Sequence, residues 1–352
     1  MHEHQASTTP IASDDASTST PLQGAAPKTA EPSSSTPGEA GKGKPKKGGK
    51  DKPKAKDGKA KDGKGKDGKG KAKRRKDKKA KKAKKAKLSA STADRHDLYQ
   101  RSVNSPETDV DFTTKTFEAL RGRPPRVLRE DFCGTAALAA EFLGRDPANR
   151  AQGYDLDPEP VEWGRERNFS KVEDGVARMD FQLRDVREPS SVAPDITLAQ
   201  NFSYFCFKTR KELLGYFRAV HANLAPDGAF QMDLYGGPDS MHEQEEEREI
   251  ENGKFTYVWD QKEYWPATGE YRCAIHFRFR DGTELTDAFE YDWRLWTLPE
   301  LKDVLAEAGF KETRTFFEGT DPDDDESGNG EFEEDPRGEN CLAWIGYLVS
   351  LK

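Results

Sequence analysis

What the sequence lacks narrows its chemistry first. Its 352 residues include only four cysteines, Cys133, Cys206, Cys273 and Cys341. No two stand at CxxC spacing, so neither a structural zinc site nor a dithiol redox motif is expected. The four read as reduced thiols, and no metal site is expected. No apolar run approaches the ~20 residues that cross a bilayer, so no membrane partner is expected. Met1-His2-Glu3-His4-Gln5 has neither the basic nor the apolar part of a secretory signal, and a cytoplasmic location follows as the expectation. Two phosphate-binding signatures are also missing. There is no GxxxxGK[ST], and the turn after the first strand of the body has only Gly134 where a GxGxxG dinucleotide site needs three glycines.

What is present is charge, unevenly spread. Hydrophobic residues make up 33% of the chain and the mean hydropathy is -0.97, too low for a chain folded throughout. Residues 41–87 hold 23 Lys and 2 Arg against 5 Asp, a net +20, and residues 1–40 carry −4. With −7 overall, residues 88–352 therefore carry −23. Residues 1–87 read as a disordered arm, Ser/Thr/Pro-rich and then Lys-rich, unable to offset the entropy of ordering. Its basic half suits nonspecific contact with a polyanion such as nucleic acid.

The body, residues 88–352, opens with two helices, around Asp94 to Tyr99 and from Phe112 to Leu120. Alternation then begins. Arg126-Val127-Leu128 is a short strand that turns at Glu130-Asp131-Phe132-Cys133-Gly134-Thr135 into an alanine-rich helix. Ala151 to Tyr154 is a second strand, ending on Asp155, and Asp157-Pro158 starts another helix. Strands follow at Met179 to Leu183 and Asp195 to Gln200. Leu213, Phe217, Val220 and Leu224 then mark one apolar helix face. Pro226-Asp227-Gly228 leads into strand Phe230 to Tyr235. This spacing predicts a Rossmann-like, doubly wound, mostly parallel sheet covered on both faces.

The period changes after Gly237. Glu243 to Glu251 reads as an acidic linker. Phe255-Tyr257-Trp259, Tyr271 to Phe279 and Phe289-Tyr291-Trp293 then alternate with period two, an antiparallel meander with one apolar face. The insertion, residues 243–296, reads as a packing sheet or as a lid over a pocket. Thr297 to Glu300 is a capping box, and strand Thr313 to Phe317 precedes eleven acids between Glu318 and Glu339. That acidic segment reads as a loop with no folded role. Cys341 to Val349, mostly apolar, is expected as a last strand inside the sheet.

In an open α/β sheet, ligands bind beyond the carboxyl ends of the strands. Those ends carry Glu130 to Gly134, Asp155, Asp185 and Asn201. Acids after the second and third strands suit ribose hydroxyls and an adenine amino group, which is a nucleoside without a required phosphate. Leu128 to Ala136, with Gly153-Tyr154-Asp155-Leu156-Asp157-Pro158, resembles the first two motifs of class I S-adenosylmethionine-dependent methyltransferases. Leu224 to Phe230 resembles that family's "LxPGG" turn, and Glu307 to Phe310 its "EAGF" segment.

The resemblance implies S-adenosylmethionine as cofactor. Glu130, Phe132, Cys133 and Gly134 would lie by its methionine and ribose, and Asp155 on the ribose hydroxyls. Leu156 would face the adenine, Asp185 and Val186 its amino group and ring, and Asn201 and Phe202 the methyl donor. Phe132 and Ala136 depart from the family pattern, standing where glycines are usual. Tyr99, Tyr204 and His276 are the candidates for a base. A small-molecule acceptor is the expected substrate. An RNA or protein target held by the lysine arm, or a non-catalytic binding protein on this fold, are the alternatives.

Overall fold

The computed structural model describes residues 88–321 and 324–352. The expected disordered arm and its polyanion contact lie outside the described residues. Helix α1 (Arg95–Ser102) starts at Asp94, whose carboxylate accepts from the His96 and Asp97 amides. Helix α2 (Pro106–Arg121) begins before Phe112, on a proline at a position where no helical N–H is needed.

The alternation then runs β1 (Val127–Asp131), α3 (Ala137–Arg145), β2 (Arg150–Asp155), α4 (Pro158–Arg167), a short α5 (Gly175–Arg178) and β3 (Met179–Leu183). It continues through β4 (Ile196–Ala199), α6 (Arg210–Asn223) and β5 (Ala229–Gly236). A second sheet is inserted here, made of β6 (Gln244–Ile250), β7 (Phe255–Trp265), β8 (Glu270–Phe279) and β9 (Glu284–Arg294). The chain then returns as α7 (Leu298–Ala308), β10 (Glu312–Asp321), β11 (Asp324–Glu334) and β12 (Trp344–Leu351).

The main sheet has the order β11-β10-β12-β5-β4-β1-β2-β3. Strands β1 to β5 are parallel, and β12 lies between β5 and β10, antiparallel to both. Alternate residues of β2, β4, β5 and β12 feed two cores. Phe230, Met232, Leu234 and Leu348 pack with Leu213 and Phe217 of α6 and Leu301 and Leu305 of α7. Leu128, Ile196 and Val349 pack with Phe117 of α2 and Leu138 and Phe142 of α3. The apolar face of the second sheet meets α1 through Leu98, Phe255, Ile275 and Phe277.

Two acidic segments differ from expectation. Gln244–Ile250 is not a linker but a full strand paired with β7. Arg278 reaches from β8 to both Glu245 and Glu247, which offsets the charge that composition alone would keep apart. The segment after Glu318 is likewise part of the sheet, as hairpin β10–β11. Its anchor is Phe332, whose ring lies 4.3 Å from Tyr347 and 5.7 Å from Phe112. Among the described residues, no helix is long and apolar enough to cross a membrane.

Candidate active site

A cleft of about 520 Å³ opens where the carboxyl ends of β1, β2 and β4 converge. The β1–α3 turn from Glu130 to Thr135 forms its floor, with Asp155, Asp157, Gln200, Asn201 and Ser203 beside it. Tyr99 of α1 and Phe289, Tyr291 and Trp293 of β9 close the opposite side. That aromatic wall is packed, with Tyr99 to Phe289 at 4.9 Å and Tyr291 to Trp293 at 4.3 Å between ring centres.

The floor is an unusual piece of backbone. Phe132, Gly134 and Ala136 all have left-handed angles, with φ of 55, 49 and 50°. The turn is held from several sides. The Cys133 N–H donates to the Tyr154 carbonyl at 3.0 Å, and the Gly134 N–H to Asp155 Oδ2 at 2.7 Å. The second Asp155 oxygen accepts from the Asp157 N–H at 2.9 Å. From behind, α4 presses so closely that a Cβ on Gly164 would sit 2.1 Å from the Thr135 carbonyl oxygen. The Phe132 ring leans toward Phe207 and Tyr216, at 6.0 and 5.7 Å, and this packing offsets its backbone cost. Ala136 is fully buried and gains less from its methyl group. Ala136→Gly is therefore expected to raise stability by about 1 kcal/mol, measured by urea unfolding.

Charge in and around the cleft is largely committed. Glu130 is buried, accepts from the Ala139 N–H at 2.9 Å at the start of α3, and is pushed up to about 8 by burial. Asp131 points the other way, to the Arg129 guanidinium and the Tyr216 hydroxyl. On the rim, the Arg95 guanidinium and the His96 ring both face Glu159. Asp287 is paired with Lys262. An incoming phosphate therefore meets no unpaired cation on this rim, while Asp155 remains partly exposed at the end of β2.

No protein-family model and no curated protein matches the sequence. Solved structures do match in shape. One is an S-adenosylmethionine-dependent methyltransferase from Clostridium acetobutylicum, 16% identical, with a TM-score of 0.53 over 72% of this chain and 96% of that one. The fold is that of the S-adenosylmethionine-dependent methyltransferases. An S-adenosylmethionine-bound amino pentose methyltransferase from Micromonospora echinaspora aligns at 0.52 with 16% identity, over 72% of this chain and 94% of that one. A sugar N-methyltransferase from Streptoalloteichus aligns at 0.51, also 16% identical, over 77% and 96%.

On this methyltransferase fold, the residues singled out by sequence separate into two groups. Glu130, Phe132, Cys133, Gly134, Asp155 and Asn201 line the cleft together. Leu156, Asp185, Val186 and Phe202 are not among its walls. Leu156 is 72% exposed and Val186 is buried in the core beside α6. The Arg187 guanidinium, bonded to both Asp185 oxygens, holds that carboxyl below its usual range.

Of the three candidate bases, only Tyr99 reaches the cleft. Its hydroxyl is held by Tyr291, and burial raises it well above the ordinary phenol range. Tyr204 is a fully buried core residue donating to the Asp233 carbonyl at 2.7 Å. His276 lies in the second sheet, where Nε2 faces Asp260 at 3.1 Å and Nδ1 accepts from the Asp287 N–H at 2.8 Å.

Glu245, Asp260 and His276 are close enough to share a cation. The Asp287 N–H occupies the Nδ1 lone pair, so the proton of a neutral imidazole sits on Nε2, toward Asp260. That arrangement leaves no ring lone pair for a metal.

Sequence reading passed over Asp233 and Gln200. Asp233 is buried in β5, and burial raises its carboxyl to about 7. An acid inside the apolar run Phe230 to Tyr235 was the available signal, since such residues are rarely buried without partners.

Proposed function

We propose that the cleft binds S-adenosylmethionine and directs its methyl group to a small-molecule acceptor. The observation carrying this reading is Asp155, a partly exposed carboxylate at the end of β2, braced by the Gly134 and Asp157 amides beside a rim without unpaired cations. Such an acid suits ribose hydroxyls and repels a 2′-phosphate. The residues present fit a cationic nucleoside: the buried Glu130 and the aromatic wall both favour positive charge. When bound, the cofactor supplies a methyl group on a sulfonium, with a neutral thioether as leaving group.

The chain's own contribution is then positioning and exclusion of water. Asp155 holds the nucleoside, the Glu130 to Thr135 floor sets its depth, and Phe289, Tyr291 and Trp293 act as a lid that keeps the acceptor dry. Tyr99, kept a neutral phenol by burial, can orient an acceptor through a hydrogen bond but does not take its proton, so the reading calls for an acceptor that arrives with a free lone pair. Asp185 contributes to the adenine site only if Arg187 releases one of its oxygens. Enclosure by the inserted sheet, together with the sugar-methylating enzymes of similar fold, supports a small acceptor over a polymer. We assign residues 41–87 a nonspecific polyanion contact away from turnover, and the reaction to the cytoplasm, where free Cys206 and Cys341 stay reduced.

Calorimetry with S-adenosylmethionine tests the reading. Binding by the wild type and a loss of at least tenfold in Asp155→Ala are expected, because a charged hydrogen bond contributes about 1.5–3 kcal/mol. Neither heat nor a thermal shift with the wild-type protein would sink it.

A further inference from the structure

Beyond β4, two consecutive non-glycine residues, Asn201 and Phe202, adopt left-handed backbone, with φ of 57 and 56°. Such conformations persist only where the surroundings over-determine them, and they cluster at functional sites. Asp233, on the neighbouring β5, provides the constraint. Its Oδ2 accepts from the Asn201 N–H at 2.7 Å and its Oδ1 from the Phe202 N–H at 2.9 Å. Its own carbonyl accepts from the Tyr204 hydroxyl, one turn further on. A buried carboxylate, costly to desolvate, is thus spent on the shape of a single turn.

That turn begins at Gln200, whose carbonyl accepts from Ser203 Oγ at 2.8 Å. Gln200, Asn201 and Ser203 all line the cleft. The Gln200 side chain is buried, yet its Nε2 has no partner. An orphaned buried donor destabilises a protein unless something else completes it. Here the adjoining space is the cleft.

We infer that Asp233 is a positioning residue for methyl transfer, locking the Gln200–Ser203 turn so that the Gln200 amide meets an oxygen of S-adenosylmethionine. The inference rests on the methyltransferase reading above. Asp233 acts through the turn and touches no ligand; Gln200 is the contact.

Calorimetry with S-adenosylmethionine, paired with melting curves, tests both residues. Gln200→Leu is expected to melt higher than wild type, because an unsatisfied amide gives way to an apolar side chain of similar size. It is also expected to bind S-adenosylmethionine at least tenfold more weakly, and a purely structural residue does not move stability and affinity in opposite senses. Asp233→Asn is expected to bind at least tenfold more weakly as well. Should that variant not fold, hydrogen exchange of the ligand-free wild type serves instead, with slow exchange expected at the Asn201 and Phe202 amides. Wild-type affinity in both variants overturns the inference, as does fast exchange at those two amides. No binding by the wild type overturns the methyltransferase reading itself, which separates the two failures.

Discussion

Arg129→Met is expected to lower the unfolding free energy by about 3–5 kcal/mol, readable by urea denaturation. Arg129 is 1% exposed in the middle of the main sheet, an expensive place for a charge. Every face of its guanidinium is used. Nε donates to Asp131 Oδ1 at 2.6 Å, Nη1 to the Glu188 carbonyl and to Ser190 Oγ, and Nη2 to the Val186 carbonyl. The plane lies 3.7 Å over the Tyr154 ring. Methionine fills similar space but leaves the buried Asp131 carboxyl with Tyr216 as its remaining side-chain partner, and strips donors from three groups in the segment after β3. The double replacement Arg129→Met with Asp131→Leu is expected to cost less than Arg129→Met by itself, since it removes the stranded carboxyl. Equal losses would show that the segment from Val186 to Ser190, not the ion pair, sets the cost.

The second large effect is a pH dependence set by Glu130. In the free protein burial holds this carboxyl near 8, against an ordinary value of 4.5. It is therefore protonated at neutral pH, and a cationic ligand favours its ionised form. Affinity for S-adenosylmethionine is expected to rise about tenfold per pH unit from pH 6 towards 8 and then level off. Glu130→Gln should bind without that slope. Calorimetry in buffers of different ionisation enthalpy should count close to one proton released per site at pH 7, and none in Glu130→Gln; a flat wild-type profile would remove Glu130 from the cofactor site. Stability runs the opposite way. The folded state keeps this proton where the unfolded state has lost it, so the contribution is fully present below pH 4.5 and is lost as pH rises towards 8.

Much of the architecture was legible because it rests on periodicity. Leu213, Phe217, Val220 and Leu224 are all buried, as a 3.6-residue period requires. Phe255, Tyr271, Phe277 and Trp293 alternate onto one face of the second sheet, as a period of two requires. The acidic strands β6 and β11 escaped the same reasoning. Their pairing is carried by backbone hydrogen bonds and by partners distant in sequence, Arg278 for one and Tyr347 and Phe112 for the other. The cleft was legible where motifs carry its lining, at Glu130 to Gly134 and Asp155. It was obscure where a side chain's role depends on its neighbour: Asp185 is taken up by Arg187, and the work of Asp233 appears only once Asn201 and Phe202 are seen to bend back towards it.

The hairpin β10–β11 leaves β11 on the outer margin of the main sheet. Its backbone there is open on one side, and open strands invite pairing with other chains. Glu331, Glu333 and Glu334 are exposed along it, so a second copy approaching edge to edge meets carboxylates of its own sign. The acids that looked like a reason not to fold instead guard this margin against pairing with itself.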